Sequence, residues 1–259
     1  MITIDGASQT FRGRSGPVEA LKDISLTVGA GEFMAVIGRS GCGKSTLLRL
    51  IGGLLKPTGG RIAIAGDRVV TPRRDVAFVF QRPALLPWRT VEDNVLLPVE
   101  IFKWRRPQHR ERAWQLLEMT GLGTFAKRLP HELSGGMQQR VSLCRALIQN
   151  PKVMLMDEPF SALDALTREE LAVELQRIHS ELGTTIVFVT HSIQEAVLLA
   201  DRVTVLSARP GRINKIVDVD IPRPRSFGLN AHLDQVAVAS AELHQLLLTE
   251  QHLPTPPTD

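Results

Sequence analysis

The sequence predicts an α/β fold with three parts: a core of buried strands and helices, an antiparallel set of strands before it, and a helical insertion. Short apolar runs bounded by glycine or polar residues predict the core strands. Alternating apolar residues between residues 1 and 30, separated by glycine-containing turns, predict the antiparallel strands. A change to helical spacing between residues 91 and 150 predicts the insertion. A chain of 259 residues, 43% of them apolar, can bury such a core.

Composition limits the function classes. The net charge of +4 suits an anionic ligand but is too small to argue for nucleic acid. Cys42 and Cys144 lie in very different segments, so we expect reduced thiols and a cytosolic site. The N-terminal residues carry no signal-peptide pattern, and no apolar run approaches the roughly 20 residues of a membrane span. If the protein functions at a membrane, we expect it to do so by binding a partner protein.

The individual elements follow from the apolar runs and their periodicity. After the first 30 residues, strands are predicted at residues 33–37, 61–66, 76–80, 153–156, 184–190 and 203–206, with a closing strand over 213–221. Helices are predicted over 46–51, through Leu171, Leu175 and Ile178, and from Ser226 onward. The proline-rich stretch 254–257 is predicted to be frayed.

A glycine-rich loop connects the strand at 33–37 to the helix at 46–51. It fits G-x-x-x-x-G-K-[ST] with a third glycine inside, and its residues are Gly38, Arg39, Ser40, Gly41, Cys42, Gly43, Lys44, Ser45 and Thr46. Glycines let successive backbone N–H groups point inward at an anion, and the helix N-terminus adds to that field. Lys44 can reach the β- and γ-phosphates of a nucleotide, and the Ser45 hydroxyl can ligate Mg²⁺. We therefore predict a nucleotide phosphate site here.

Polar residues follow three of the predicted strands. Gln81 ends the strand at 76–80, Asp157 and Glu158 end the strand at 153–156, and His191 ends the strand at 184–190. Ligands of open α/β sheets bind at these strand ends. Asp157 can hold Mg²⁺ through water, and Glu158 can polarise an attacking water. Gln81 is a candidate for Mg²⁺ and the same water, and His191 for the γ-phosphate.

A second anion site is predicted at the start of a later helix. Ser134 is a good N-cap, and Gly135 and Gly136 expose backbone N–H groups behind it. The simpler interpretation is that Ser134 caps a helix and that no anion binds there. Because this second site has no lysine, it suggests that two chains share each nucleotide.

Three features keep two interpretations each. Phe11 is either a packed strand residue or, with Val18 nearby, a platform for adenine. Trp88, in the proline-rich apolar stretch 83–90, either packs locally or contacts a partner. The basic cluster 103–106 is either a solvated helix face or a surface for nucleic acid or lipid headgroups.

The motifs occur in one order that resembles the ATP-binding subunit of ABC transporters, over roughly residues 1–225. The most specific match is the stretch Leu133–Arg140, Leu-Ser-Gly-Gly-Met-Gln-Gln-Arg. The resemblance implies an α/β P-loop NTPase (RecA-like) core with an N-terminal antiparallel β-subdomain and an inserted helical subdomain at about 86–150. Residues 226–259 would be a C-terminal helical extension with a frayed proline-rich end.

The resemblance also implies a role for each motif residue. Phe11 resembles the adenine-stacking aromatic, which is often tyrosine in the family. Ser45, Gln81 and Asp157 resemble the magnesium set, Glu158 the catalytic carboxylate and His191 the γ-phosphate switch. By the same resemblance Ser134, Gly135 and Gly136 would contact ATP held by the opposite subunit, with Asp164 at the dimer seam.

A narrower likeness concerns importer ATPases for nitrate, alkanesulfonates and taurine, although importers of pyrimidine precursors share much of it. The segments are Leu85–Trp88, Ser207–Ile213 and Ile221–Arg225. It implies an ATP- and Mg²⁺-dependent homodimer on the cytoplasmic face of the inner membrane. The partners would be a permease and, indirectly, an extracytoplasmic binding protein, with no nucleic acid.

Two other functions stay open at this stage. One is a soluble ABC ATPase of DNA repair or translation, although no second cassette, long coiled coil or zinc insertion is visible in the sequence. The other is a nucleotide-binding scaffold or regulatory module without turnover, against which Glu158 and His191 argue. The tail from Ser226 either gates activity or extends the dimer.

Overall fold

A computed structural model describes residues 1–13, 16–161, 163–223, 225 and 232–249. Within them the strands are β1 (Ile2–Gly13), β2 (Gly16–Val28), β3 (Phe33–Gly38), β4 (Gly59–Ile64), β5 (Asp67–Arg68), β6 (Val76–Val79), β7 (Val153–Asp157), β8 (Thr185–Val189), β9 (Arg202–Leu206) and β10 (Ile213–Asp218). The helices are α1 (Lys44–Ile51), α2 (Val91–Val95), α3 (Leu97–Ile101), α4 (Arg106–Met119), α5 (Gly135–Leu147), α6 (Ala165–Leu182), α7 (Ile193–Leu199) and α8 (Leu233–Thr249).

The core is a six-stranded sheet with the order β10-β9-β3-β8-β7-β6. Every pair is parallel except β9 and β10. Every residue of β3, β7 and β8 is buried, which explains why these strands are continuous apolar runs. Because neighbouring strands are parallel, the loop after β3 and the residues after β6, β7 and β8 all lie at one edge.

The N-terminal strands form a separate antiparallel sheet in the order β2-β1-β4-β5. Ile2 pairs with Val28 on one side and with Ile64 on the other. In β1, Ile2 and Ile4 are buried and alternate with exposed Thr3 and Asp5, the pattern of a sheet with one buried face. The predicted antiparallel strand set is confirmed, and the predicted strand at 61–66 joins it as β4.

The helical insertion lies between β6 and β7 and contains α2 to α5. Helix α2 begins after Thr90, and helix α5 begins after Ser134, whose hydroxyl accepts the Met137 N–H at 3.3 Å. Its apolar residues, among them Val95, Leu117 and Val141, belong to the same buried cluster as Phe188 of the sheet. The insertion therefore shares the core of the sheet, with α5 in contact with β6.

The C-terminal segment adds one helix to this core. Helix α8 packs against α7 and buries Leu243 completely. The structure describes it over Leu233–Thr249, and both the predicted start at 226–231 and the predicted frayed stretch 254–257 lie outside the described residues. In the described part of the chain, none of the helices has the length and hydropathy to cross a membrane.

Arg225 joins this segment to the core through a buried guanidinium. The guanidinium donates to the carbonyls of Val197 and Ala200 at 2.7 Å each, and also to those of Val219 and Ile221. Burial is the main reason that the pKa of Arg225 falls to about 10. The side chain thus donates to carbonyls at the C-terminal end of α7. In many helices such carbonyls instead accept backbone N–H groups of a glycine-containing turn, or water.

Candidate active site

The loop between β3 and α1 curls around the Lys44 ammonium. Nζ donates to the carbonyls of Gly38 at 2.8 Å and Arg39 at 3.1 Å, and Lys44 is only 6% exposed. Gly43 has φ of 101°, and a Cβ there would lie 2.6 Å from a Leu21 methyl and 2.9 Å from the Ala20 carbonyl. Glycine is therefore required where the loop meets β2.

A cleft of about 530 Å³ opens over this loop. The residues that line it are Phe11, Val18, Ala20, Ser40, Gly41, Gly43, Lys44, Ser45, Thr46, Gln81, Glu158 and Arg209. Phe11 pairs with Val18 across β1 and β2, and Phe11 is 39% exposed. An aromatic face at the mouth of the cleft, rather than in the core, favours the adenine-platform interpretation.

Three of the predicted loop residues lie outside the lining of this cleft: Gly38, Arg39 and Cys42. Gly38 and Arg39 turn their carbonyls to Lys44. Cys42 is 1% exposed, and a Cβ on Gly38 would lie 2.8 Å from its sulfur. The thiol lies beneath the loop, so we expect these residues to serve a ligand through the backbone only.

Ser45 and Asp157 join the loop to the end of β7. The Ser45 hydroxyl donates to Asp157 Oδ1 at 2.8 Å. Burial raises the pKa of Asp157, and the bond from Ser45 opposes that shift. A hydroxyl and a carboxylate oxygen side by side at a phosphate site fit the oxygen ligands that Mg²⁺ prefers. Gln81, the third residue of the predicted set, turns its amide instead to Ser161 at 3.2 Å.

Glu158 lies between the ends of three strands. Its carboxylate is 3.5 Å from Gln81 Nε2 and 3.4 Å from His191 Nδ1, and its backbone N–H donates to the Val189 carbonyl at 2.9 Å. Its φ of 45° is unusual for a residue with a side chain, and such strain is typical of functional sites. The structure thus brings together Gln81 and Glu158, which are expected to act on the attacking water, and His191, which is expected to contact the γ-phosphate.

Sequence reasoning missed the residues that hold the His191 segment. The Thr190 hydroxyl donates to the Glu195 carboxylate and accepts the Ser192 N–H at 3.0 Å. The other Glu195 oxygen is 3.5 Å from Arg168 Nε on α6. Burial raises the pKa of Glu195. A local signal existed, because Ser192 and Glu195 have the spacing of a capping box, and Ser192 does cap α7.

The Ser134 turn and Asp164 lie together but do not line the cleft among the described residues. A Cβ on Gly136 would lie 2.4 Å from the Thr167 methyl. Asp164 caps α6, accepting the Thr167 N–H at 3.0 Å and the Thr167 hydroxyl at 2.8 Å. Ser134, Gly135 and Asp164 are exposed, so two helix N-termini form one surface apart from the cleft.

The loop before α2 is fixed beneath an exposed indole. The Arg145 guanidinium donates to the carbonyls of Pro83 at 2.5 Å and Ala84 at 2.8 Å. The Asn94 side chain accepts the Leu86 N–H and donates to the Leu86 carbonyl. Trp88 is nevertheless 72% exposed. An ordered loop that displays a large apolar side chain disfavours local packing and favours contact with a partner.

The fold and the geometry of this edge are those of a phosphate-loop ATPase. The sequence profile of the ABC transporter family, described as "ABC transporter", matches residues 21–161. The chain belongs to this family, and it is a nucleotide-binding ATPase subunit coupled to transport. The predicted P-loop NTPase fold class is therefore confirmed.

The chain is similar to several curated import subunits. It is 47% identical over 228 residues to a nitrate import ATP-binding protein of Synechococcus elongatus, covering 86% of this chain but only 35% of that protein. It is 44% identical to a taurine import ATP-binding protein of Ruegeria pomeroyi, covering 91% and 87% of the two chains. It is 43% identical to an aliphatic sulfonates import ATP-binding protein of Bacillus cereus, covering 87% and 88%.

Solved cassettes share the fold. A dimeric ATP-binding cassette in a post-hydrolysis state with ADP and phosphate has a TM-score of 0.77 and 36% identity. The match covers 86% of this chain and all of that one. The protein cbiO1 from Clostridium perfringens, part of the ABC transporter complex cbiONQ, has a TM-score of 0.74 and 30% identity, covering 84% and 88% of the two chains.

The raised pKa of Asp157 predicts that removing its charge stabilises the nucleotide-free fold while weakening ligand binding. The ionised carboxylate is less favourable in the folded chain than in the unfolded one, so nucleotide-free stability falls as pH rises through that raised pKa. We expect Asp157→Asn to melt about 2–4 °C higher than wild type at mildly alkaline pH, an effect of roughly 1 kcal/mol. The difference disappears in acid, and the shift in melting temperature on adding Mg²⁺ and ATP is lost.

Asp75→Asn is the matched control, because a hydrogen bond from Arg73 lowers the pKa of Asp75. This variant should melt lower than wild type in the same assay. A lower melting temperature for nucleotide-free Asp157→Asn would contradict the prediction.

Proposed function

We propose that this ATPase powers the import of a small solute such as nitrate, a sulfonate or taurine. The observation that carries hydrolysis is the Glu158 carboxylate, held within 3.5 Å of both Gln81 and His191 at the rim of the cleft. The solute class is supported by the relatives' names and by the Ser207–Ile213 and Ile221–Arg225 segments. The solute is chosen by the permease and the binding protein rather than by this chain.

Each site residue has a defined task in this proposal. The loop amides and Lys44 bind the phosphates, while Phe11 and Val18 hold the adenine. Ser45, Asp157 and Gln81 hold Mg²⁺, which when bound neutralises charge on the β- and γ-phosphates. Glu158 orients and polarises the attacking water, and His191 contacts the γ-phosphate. Catalysis is then mainly positioning and charge stabilisation.

The complete site requires two copies of the chain. Ser134, Gly135 and Gly136 of one subunit close over ATP held by the phosphate loop of the other, with Asp164 at the seam. Two observations support this: the Ser134 turn is exposed apart from the cleft, and a similar cassette was solved as a dimer. Helix N-termini without lysine suit a site that only closes on an anion.

The partner in the membrane is a permease, with an extracytoplasmic binding protein acting through it. We place the ATPase dimer on the cytoplasmic face of the inner membrane, without nucleic acid. The domain limits also remain proposals: an ATPase domain over 1–225, its helical subdomain at about 86–150, and an extension over 226–259. Trp88, exposed on an ordered loop of the helical insertion, is the proposed permease contact.

Glu158→Gln tests the catalytic assignment. The amide keeps the shape of the side chain but cannot act as a base, so we expect phosphate release to slow by about 10²–10⁴-fold. ATP binding should persist, measured by calorimetry. Glu111→Gln, on the exposed face of α4, is the control and should turn over at the wild-type rate. Unchanged turnover in Glu158→Gln would refute the role of Glu158.

Trp88→Ala tests the permease contact. We expect this variant to lose solute uptake in vesicles that contain the whole transporter, while the isolated subunit keeps its ATPase rate. Trp114→Ala removes another half-exposed indole, on α4, and should leave uptake unchanged. Parallel loss of uptake and of isolated ATPase activity in Trp88→Ala would indicate a folding defect and count against the proposal.

A further inference from the structure

The hairpin between β9 and β10 borders the cleft and contributes Arg209 to its described lining. The Gly211 N–H donates to the Ala20 carbonyl at 3.0 Å, and the Gly211 carbonyl accepts the Lys22 N–H at 2.9 Å. A Cβ on Gly211 would lie 2.1 Å from the Cys42 carbonyl, so only glycine fits between β2 and the phosphate loop. The hairpin is therefore pressed against the loop and cannot be displaced without breaking these bonds.

Arg209 projects from this hairpin onto the phosphate loop. Its Nε and Nη2 atoms lie 3.3 and 3.2 Å from the Gly41 carbonyl, and the side chain lines the cleft. The residue is exposed, and within the described residues no carboxylate forms an ion pair with it. A guanidinium has five donors, so the bond to one carbonyl leaves several free for a ligand.

The charges lining the cleft indicate which part of the ligand Arg209 meets. Among the described residues that line the cleft, Lys44 is the other cation, and it is buried at the floor, where it can reach the β- and γ-phosphates. Mg²⁺, when bound, would also neutralise charge on the β- and γ-phosphates. Neither Lys44 nor Mg²⁺ is assigned to the α-phosphate, which leaves that phosphate without a cationic partner in this assignment. Arg209 lies beside Gly41. Its hairpin contacts β2 at Ala20 and Leu21, two and three residues beyond Val18, where we expect the adenine to bind.

We propose that Arg209 binds the α-phosphate of the nucleotide, as a ligand contact outside the phosphate loop. The proposal rests on the assignment of this cleft to ATP. A bidentate guanidinium suits phosphate oxygens. The Gly41 carbonyl orients the guanidinium before the ligand arrives, and the packed Gly211 turn keeps the hairpin in place.

The test compares nucleotides that share the α-phosphate. We expect Arg209→Ala to weaken both ADP and a non-hydrolysable ATP analogue by about tenfold, the loss typical of one charge-assisted hydrogen bond. Adenosine binding should be unchanged. The dependence of ADP affinity on salt should become shallower, because a screened charge pair has been removed. Arg209→Lys should recover part of the affinity.

Arg212→Ala is the matched control. Arg212 is an exposed arginine on the same hairpin, but it is not among the residues that line the cleft. It should bind ADP as wild type does. Wild-type affinity in Arg209→Ala would overturn the proposal. So would a loss confined to the ATP analogue, or a loss with an unchanged salt dependence, which would mean that Arg209 only supports the loop. Failure of the wild-type chain to bind any nucleotide would instead refute the proposed function.

Discussion

The parallel pairing of β3, β8 and β7 is the constraint on which the site depends. Phe33 aligns with Ile186, and Asp157 aligns with Val189, so the three strands end together. That alignment places the phosphate loop, the carboxylates and His191 at one edge although they are far apart in sequence. The hydrogen bond from Ser45 to Asp157 then ties the start of α1 to the end of β7, 112 residues along the chain.

The same edge concentrates unfavourable features that a ligand would relieve. Asp157 is a buried carboxylate with a raised pKa, and Glu158 beside it adds repulsion and a strained backbone. Glu195 is a second buried carboxylate nearby, held by Thr190 and Arg168. Such a cluster is costly in an empty protein, and a bound cation offsets the cost. The site therefore favours a nucleotide that arrives with a cation, as the proposed Mg²⁺ complex would.

The sequence predicts the fold class, the core strands and the phosphate loop because each depends on a local pattern of apolar runs or glycine spacing. It also predicts the residues at the strand ends, since parallel strands share an edge. It does not predict contacts that depend on how distant segments pack. Arg209 reaches Gly41 across 168 residues, Arg225 caps a helix from beyond β10, and Arg168 meets Glu195 from another helix. An exposed loop arginine has no periodic signal.

The central claim is that each nucleotide is shared by two copies of the chain, and a mixture of two inactive variants tests it directly. Lys44→Ala disables the phosphate loop, and Ser134→Arg disables the closing turn. A mixed dimer holds one site with both defects and one intact site. The account predicts that each variant alone is inactive and that the mixture, assembled with the permease, regains about a quarter of the wild-type phosphate-release rate if subunits pair at random and sites act independently. A mixture that stays as inactive as its components would contradict the shared site.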